Sequence, residues 1–145
     1  MTTFLKNRDM KFSFHLLLTC IALTACGESG KTTADYRIVP RPGEIAPGDG
    51  GDFELDARTR IVCTGDGDGM RANAEFLAGY VESVVGSAPE ITGPDGLCDD
   101  GRAVILRADA PGKGGEAYEI EVSENRITVS GESDAGVFYG IQTLR

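Results

Sequence analysis

Apolar side chains recur with the period of an α-helix between residues 70 and 85, and this segment gives the clearest structural prediction. Gly86 and Pro89 follow where a helix of this length ends. We expect Asp66 or Asp68 to cap its beginning. The apolar stripe is interpreted as protein core rather than as a ligand surface. Its members are Met70, Ala74, Leu77, Ala78, Val81, Val84 and Val85.

Several short segments carry the patterns of β-strands. Residues 103–107 are nearly all apolar, which predicts a strand buried on both faces. Residues 116–123 alternate apolar side chains with acids and lead through a tight turn to residues 127–130, which predicts a hairpin. Glu116, Glu119 and Glu121 are then expected on an exposed strand face. Three further short strands are predicted at 52–56, 59–63 and 89–93.

The two ends of this region are distinctive. Ile38-Val39 precedes Pro40 and Pro42, so residues 38–39 are expected to be an edge strand or an extended segment. At the other end, Ser133 or Asp134 should cap a second helix. Its apolar positions are Val137, Phe138, Ile141 and Leu144.

No helix-ending signal follows this second helix, so we expect the chain to be the front of something larger. Any of its apolar residues that do not face the sheet would then form an exposed patch. The order of elements predicts an α+β fold: a mainly antiparallel sheet with two helices packed on one face.

The first 26 residues have the composition of a bacterial lipoprotein leader. A basic start is followed by a short apolar run at 12–22, too short to cross a bilayer but typical of a secretory signal. The sequence Leu23-Thr24-Ala25-Cys26 resembles the lipobox, which implies lipidation of Cys26, and Gly27 favours the outer membrane. We therefore divide the chain into a signal peptide at 1–25, a polar tether at 26–35 and a domain at 36–145. An ordinary secretion signal is the alternative.

Two cysteines remain after the lipobox. In an oxidising compartment Cys63 and Cys98 could form a disulfide, and two separate buried thiols are the alternative. The bridge would close a loop of about 35 residues and contribute about 3–4 kcal/mol in the chain-entropy model.

Charge and residue types narrow the possible functions. The net charge of −9 argues against nucleic-acid binding and against binding anionic lipid except through a lipid anchor. The only histidine is His15, in the leader, which excludes histidine-dependent triads and zinc motifs from the domain. The run at 65–69, GDGDG, lacks the third ligand position of a calcium loop. We expect no catalytic residues, no cofactor and no metal site.

Three stretches resemble the N-terminal non-catalytic domain of family-20 glycoside hydrolases, the β-N-acetylhexosaminidases and chitobiases. They are Ile38-Val39-Pro40 with Pro42, Glu116-Ala117-Tyr118 at the start of a strand, and residues 136–144, GVFYGIQTL. The last stretch is the most diagnostic. The resemblance covers residues 36–145.

The resemblance implies that a catalytic (β/α)₈ barrel follows this domain and hydrolyses terminal N-acetylhexosamine residues of glycans. In that family an adjacent Asp-Glu pair in the barrel carries the chemistry, with the substrate's acetamide as nucleophile. No residue here matches that pair, and Asp99-Asp100 is not a substitute. We therefore expect an accessory domain that is inactive by itself, with the barrel as partner. A free-standing envelope lipoprotein domain that binds a glycan or a protein is the alternative.

Overall fold

The described residues form five strands and two α-helices, with one helix after the first strand and the other after the last. The structure is a computed structural model, and it describes residues 35–38, 41–48, 51–97, 101–110 and 114–145. All of these belong to the unit Asp35–Arg145. The elements are β1 (Arg60–Cys63), α1 (Asp68–Val85), β2 (Ile91–Thr92), β3 (Ala103–Arg107), β4 (Tyr118–Val122), β5 (Arg126–Gly131) and α2 (Asp134–Leu144), with a 3₁₀ turn at Pro94–Gly96.

The strands form one sheet in the order β2-β1-β3-β5-β4. β1 pairs in parallel with β2 and with β3, and β3 pairs in parallel with β5. Only the predicted hairpin, β4 with β5, is antiparallel. The α+β class is confirmed, but the expectation of a mainly antiparallel sheet is wrong. Helix α1 carries the chain from the end of β1 back to the start of β2, so the two strands run the same way.

Both helices pack on one face of this sheet, as predicted. The core between them combines alternate strand residues, such as Ile61 of β1 and Leu106 of β3, with apolar residues of α1 and α2. The other members that are fully buried are Met70, Ala74, Leu77, Ala78, Val81, Val104, Val129, Val137 and Ile141. A second, smaller buried cluster, Val62, Ala103 and Ile105, lies on the opposite parity of the strands. β3 is therefore buried on both faces, as its composition predicts.

Helix α2 lies unusually close to the hairpin because three glycines leave room for it. A Cβ at Gly136 would collide with the carbonyl oxygen of Ala117, and one at Gly140 would collide with Val129. A Cβ at Gly131 would come within 2.7 Å of the backbone nitrogen of Val137. Since real Cβ atoms do not approach backbone atoms this closely, these glycines fix the distance between α2 and the sheet.

The predicted strand at 52–56 is wrong. This segment makes no strand pairing, although Phe53 and Leu55 do pack against the core. Glu54 and Asp56 alternate with them because both bind one guanidinium: Arg102 lies 3.2 Å from Glu54 and 2.9 Å from Asp56. The alternation of apolar and acidic residues therefore reflects ion pairing at the end of the sheet and not hydrogen bonding between strands.

Smaller corrections concern the helix ends and the leading segment. α1 begins at Gly67, whose position receives no side-chain cap, so the expected capping by Asp66 or Asp68 is wrong. Its end at Gly86 is confirmed, with φ of 85° and an N–H that donates to the carbonyl of Glu82. Ile38 belongs to no strand, whereas Val39 and Pro40 lie outside the described residues.

Candidate docking surface

The two helices are joined directly as well as through the core. The side-chain amide of Asn73, a buried residue of α1, donates to the carbonyl of Asp134 at the start of α2, over 2.7 Å. A Cβ at Gly69 would collide with the Asp134 carboxylate, so the first turns of both helices are in close contact. Ser133 caps α2 by accepting from the N–H of Gly136, as predicted, and its hydroxyl also donates to the carbonyl of Gly115.

Aromatic side chains that point away from the sheet meet where the two helices lie side by side. Phe76 of α1 and Phe138 of α2 have ring centroids 5.5 Å apart, and Phe138 lies 5.9 Å from Tyr139. Tyr80 and Arg145 border these rings. We call the set Phe76, Tyr80, Phe138, Tyr139 and Arg145 the aromatic surface.

This surface is exposed although its rings are large. Phe76 is 38% exposed, Phe138 37% and Tyr139 43%. Between residues 135 and 144 helix α2 has no charged residue at all, in a chain of which 26% of residues are charged. Contiguous exposed apolar side chains, here bordered by the single cation of Arg145, are typical of an interaction surface.

The expectation that some apolar residues of the second helix face the sheet and others are exposed is therefore confirmed. Val137 and Ile141 are fully buried against the sheet, and Leu144 is partly buried beside them. Phe138 points outward. The α1 stripe also follows the prediction except for Val84, which is 60% exposed because it lies on the solvent side of the last turn.

Sequence reasoning missed the contribution of α1 to this surface. Phe76 and Tyr80 are four residues apart and so share one helix face, but that face lies beside the core stripe. The available signal was a pair of aromatic residues one helical turn apart beside the core stripe, of which Phe76 is exposed and Tyr80 half-buried. What the sequence could not supply was their pairing with α2, since that depends on how the helices pack.

A second, polar depression of about 580 Å³ lies at the amino ends of β1 and β3. Its lining includes Asp56, whose carboxylate accepts from the backbone N–H of Arg58 over 2.9 Å and lies 2.9 Å from the guanidinium of Arg102. The hydrogen bond from the Arg58 amide lowers the pKa of Asp56 below its ordinary value. Because its charged groups already bind one another, we interpret this depression as the network that fastens residues 51–60 to the sheet.

The other predicted site residues remain apart from this surface. Cys63 ends β1 half-buried, and burial raises the pKa of its thiol above the ordinary value. Its predicted partner Cys98, and Cys26 with the rest of residues 1–34, lie outside the described residues, so the disulfide and the lipidation stay predictions. Glu119 and Glu121 are exposed on β4, as predicted.

Metal binding and membrane crossing can be assessed for the described part of the chain. There, no three His, Cys, Asp or Glu side chains come together as a metal site would require. In the same ranges, neither helix has both the length and the apolar character needed to cross a bilayer.

Comparison with known proteins places this arrangement in a family. Residues 35–145 match the family model described as glycosyl hydrolase family 20, domain 2. A β-N-acetylhexosaminidase from Cellulomonas fimi is 30% identical over 111 residues, which are 77% of this chain and 22% of that protein.

Solved structures give the same result. The family-20 β-N-acetylhexosaminidase from Streptomyces coelicolor A3(2) superposes with a TM-score of 0.65 at 25% identity, covering 76% of this chain and 21% of that one. A mutant Streptomyces plicatus β-hexosaminidase in complex with its product GlcNAc gives a TM-score of 0.60 at 25% identity over the same shares. The chain thus spans about a fifth of the length of these relatives. It belongs to glycosyl hydrolase family 20, in which it corresponds to domain 2.

Proposed function

We propose that this domain is the accessory domain of a β-N-acetylhexosaminidase and that its aromatic surface docks against the catalytic (β/α)₈ barrel. The observation that carries the proposal is the charge-free outer face of α2, with Phe138 and Tyr139 exposed beside Phe76. A helix face that stays exposed to water normally carries charged residues.

The length of the relatives supports a partner of this size. The Cellulomonas fimi protein has about four-fifths of its length outside the matched region. That remainder has room for a barrel, which takes roughly 250 residues. The substrates proposed for the whole enzyme are glycans with terminal N-acetylhexosamine, bound by the barrel.

The barrel and this domain would contribute different groups to the enzyme. The barrel would supply the acid and the residue that orients the acetamide, while this domain supplies apolar area. Burying the exposed parts of Phe76 and Phe138 would stabilise the joined enzyme by about 1 kcal/mol each. Docking of this kind stabilises the barrel without touching the substrate.

A chimeric enzyme tests this role. Residues 35–145 would replace the matching region of the Cellulomonas fimi relative, and hydrolysis of a chromogenic N-acetylglucosaminide and the thermal midpoint would be measured. We expect an active chimera. Phe138→Gln together with Tyr139→Ser should lower the midpoint by about 1–2 °C, because a loss of roughly 1–2 kcal/mol is divided by the large unfolding entropy of a whole enzyme about five times the length of this domain.

Val122→Gln is the matched control, since it removes an exposed apolar side chain of β4 outside the aromatic surface. Urea unfolding of the same variants in the 145-residue chain corrects for damage to the domain itself. Equal midpoints for the double variant and the control would contradict docking through this surface. Turnover of the glucosaminide by the 145-residue chain alone would contradict an accessory role.

We further propose that the chain is exported, lipidated at Cys26 and held at the outer membrane, facing the periplasm. The lipobox at residues 23–26 after a short apolar run supports this. Expression in a Gram-negative host with radiolabelled palmitate should label the wild type and not Cys26→Ala. Membrane fractionation should recover the label with the outer membrane, and label in the inner membrane would contradict the location.

A further inference from the structure

The side chain of Arg145 lies across the outer face of the other helix. Its guanidinium carbon is 5.0 Å from the centroid of the Phe76 ring and 5.3 Å from that of Tyr80. The Tyr80 hydroxyl donates to the carbonyl oxygen of Arg145 over 3.2 Å. A guanidinium N–H also donates to the side-chain oxygen of Gln142 over 3.3 Å. Arg145 therefore binds α1 through both its side chain and its backbone.

Helical spacing explains why these groups meet. Phe76 and Tyr80 are four residues apart on α1, and Phe138 and Arg145 are seven apart on the α2 side, so each pair lies on one face. Phe76 is common to both contacts, because its ring meets Phe138 at 5.5 Å and Arg145 at 5.0 Å. A planar guanidinium can lie over two rings at once, which a lysine ammonium does less well.

We propose that Arg145 is a positioning residue for the aromatic surface: it fastens the end of α2 to α1 and holds Phe76 and Phe138 together as one platform for the barrel. The proposal rests on the docking role given above. It adds that the cationic side chain, and not only the apolar core, sets the geometry at the end of α2.

Amide exchange measured by NMR on the 145-residue chain tests the fastening without any partner. Arg145→Met keeps the aliphatic stem and removes the cation. For two cation–π contacts we expect exchange of the last-turn amides of α2 to rise roughly five- to thirty-fold. Arg145→Lys should restore part of the protection, since it restores the charge. The hydrogen-bonded amides of α1 that begin at Arg71, whose N–H donates to the carbonyl of Gly67, serve as internal controls because they lie far from Arg145 along the helix.

Unchanged exchange in Arg145→Met would overturn the proposal, because the stem alone would then hold the helix end. So would equal loss in Arg145→Met and Arg145→Lys, since this would leave the cation no part in the contact. Tyr80→Phe removes the hydroxyl and keeps the ring, and it should raise exchange by a smaller factor than Arg145→Met.

The chimeric enzyme separates this inference from the docking role. If docking holds and the fastening is real, Arg145→Met should lower the chimera's thermal midpoint, with partial recovery in Arg145→Lys. If the aromatic variants lower the midpoint and Arg145→Met does not, the inference fails while docking stands. If neither set changes it, docking fails, and the exchange rates of the free chain still decide whether Arg145 fastens the helices.

Discussion

The two helices share one core but differ in what they present to the outside. α1 has charged residues along its length, Asp68, Arg71, Glu75 and Glu82, including an Arg71–Glu75 ion pair at 3.2 Å. It ends on a left-handed glycine that closes its last turn. α2 has a single acid in its first turn and no charge from residue 135 to 144. The outer face of α1 is therefore typical of a surface helix, whereas the outer face of α2 is the one that the proposed docking would cover.

The two helices should not differ on their buried sides. Truncating a buried side chain in either helix should give the largest loss of stability among these predictions. Ile141 of α2 and Leu77 of α1 are both buried in the same core. Truncating either to alanine should cost about 2–5 kcal/mol of unfolding free energy, because the side chain's burial is lost and a cavity remains. Urea unfolding checks both variants. A cost below about 1 kcal/mol for Ile141→Ala alone would mean that α2 is loosely held.

Replacing a glycine by alanine should change the unfolding free energy in opposite directions in the two helices. Gly136→Ala places a Cβ against the Ala117 carbonyl, which cannot move without shifting the hairpin, so a loss of about 1–3 kcal/mol is expected. Gly79→Ala meets nothing within 4 Å on α1. It should stabilise by about 0.5–1 kcal/mol, since alanine is the better helix former. Matched urea unfolding curves measure both, and a stabilising Gly136→Ala would refute the close approach of α2.

Local patterns predicted the elements better than their arrangement. The period of α1, the apolar run of β3, the hairpin and the Ser133 cap were all readable because each depends on residues close in sequence. The parallel pairing of β1 with β3 was not, since 42 positions separate the partners Ile61 and Val104 with a helix and a strand between them. Single-sequence patterns carry little information on such long-range register.

The same distinction applies to the candidate surface. The sequence identified Phe138 as an apolar position of α2 together with Val137 and Ile141, but it did not decide which of them face the sheet. Phe76 and Tyr80 could not be joined to it, as this requires knowing that α1 lies alongside α2. The family's most diagnostic stretch, residues 136–144, contains two of the three glycines that allow the close packing. The resemblance therefore carried structural information that periodicity alone did not.

The outer faces of the two helices should differ in their binding of an apolar dye. The aromatic surface should bind an apolar dye such as ANS, and Phe138→Gln should remove most of the fluorescence. The variant should lose only about 1 kcal/mol of stability, because the ring is partly exposed already. Val122→Gln on β4 removes a more exposed side chain that lies outside the aromatic surface, and it should leave the fluorescence unchanged. A wild-type domain that binds no dye would contradict the unfinished outer face of α2.

The helix starts give the smallest effect. α2 has 11 residues and begins on Ser133, whose hydroxyl accepts from the N–H of Gly136. Since a short helix depends strongly on its cap, Ser133→Ala should cost about 1 kcal/mol, part of it from the lost bond to Gly115.

α1 has 18 residues and starts on Gly67 without a side-chain cap. Gly67 has an extended backbone with φ of −73°, and a Cβ there meets only the Asp134 carboxylate at 3.9 Å. Gly67→Ser should therefore stabilise by a few tenths of a kcal/mol, about the difference between serine and glycine caps. Thermal and urea unfolding of the two variants measure these effects together. Equal and opposite changes would show that the two helices depend on their caps alike, and would weaken the contrast between a finished α1 and an α2 that needs its neighbours.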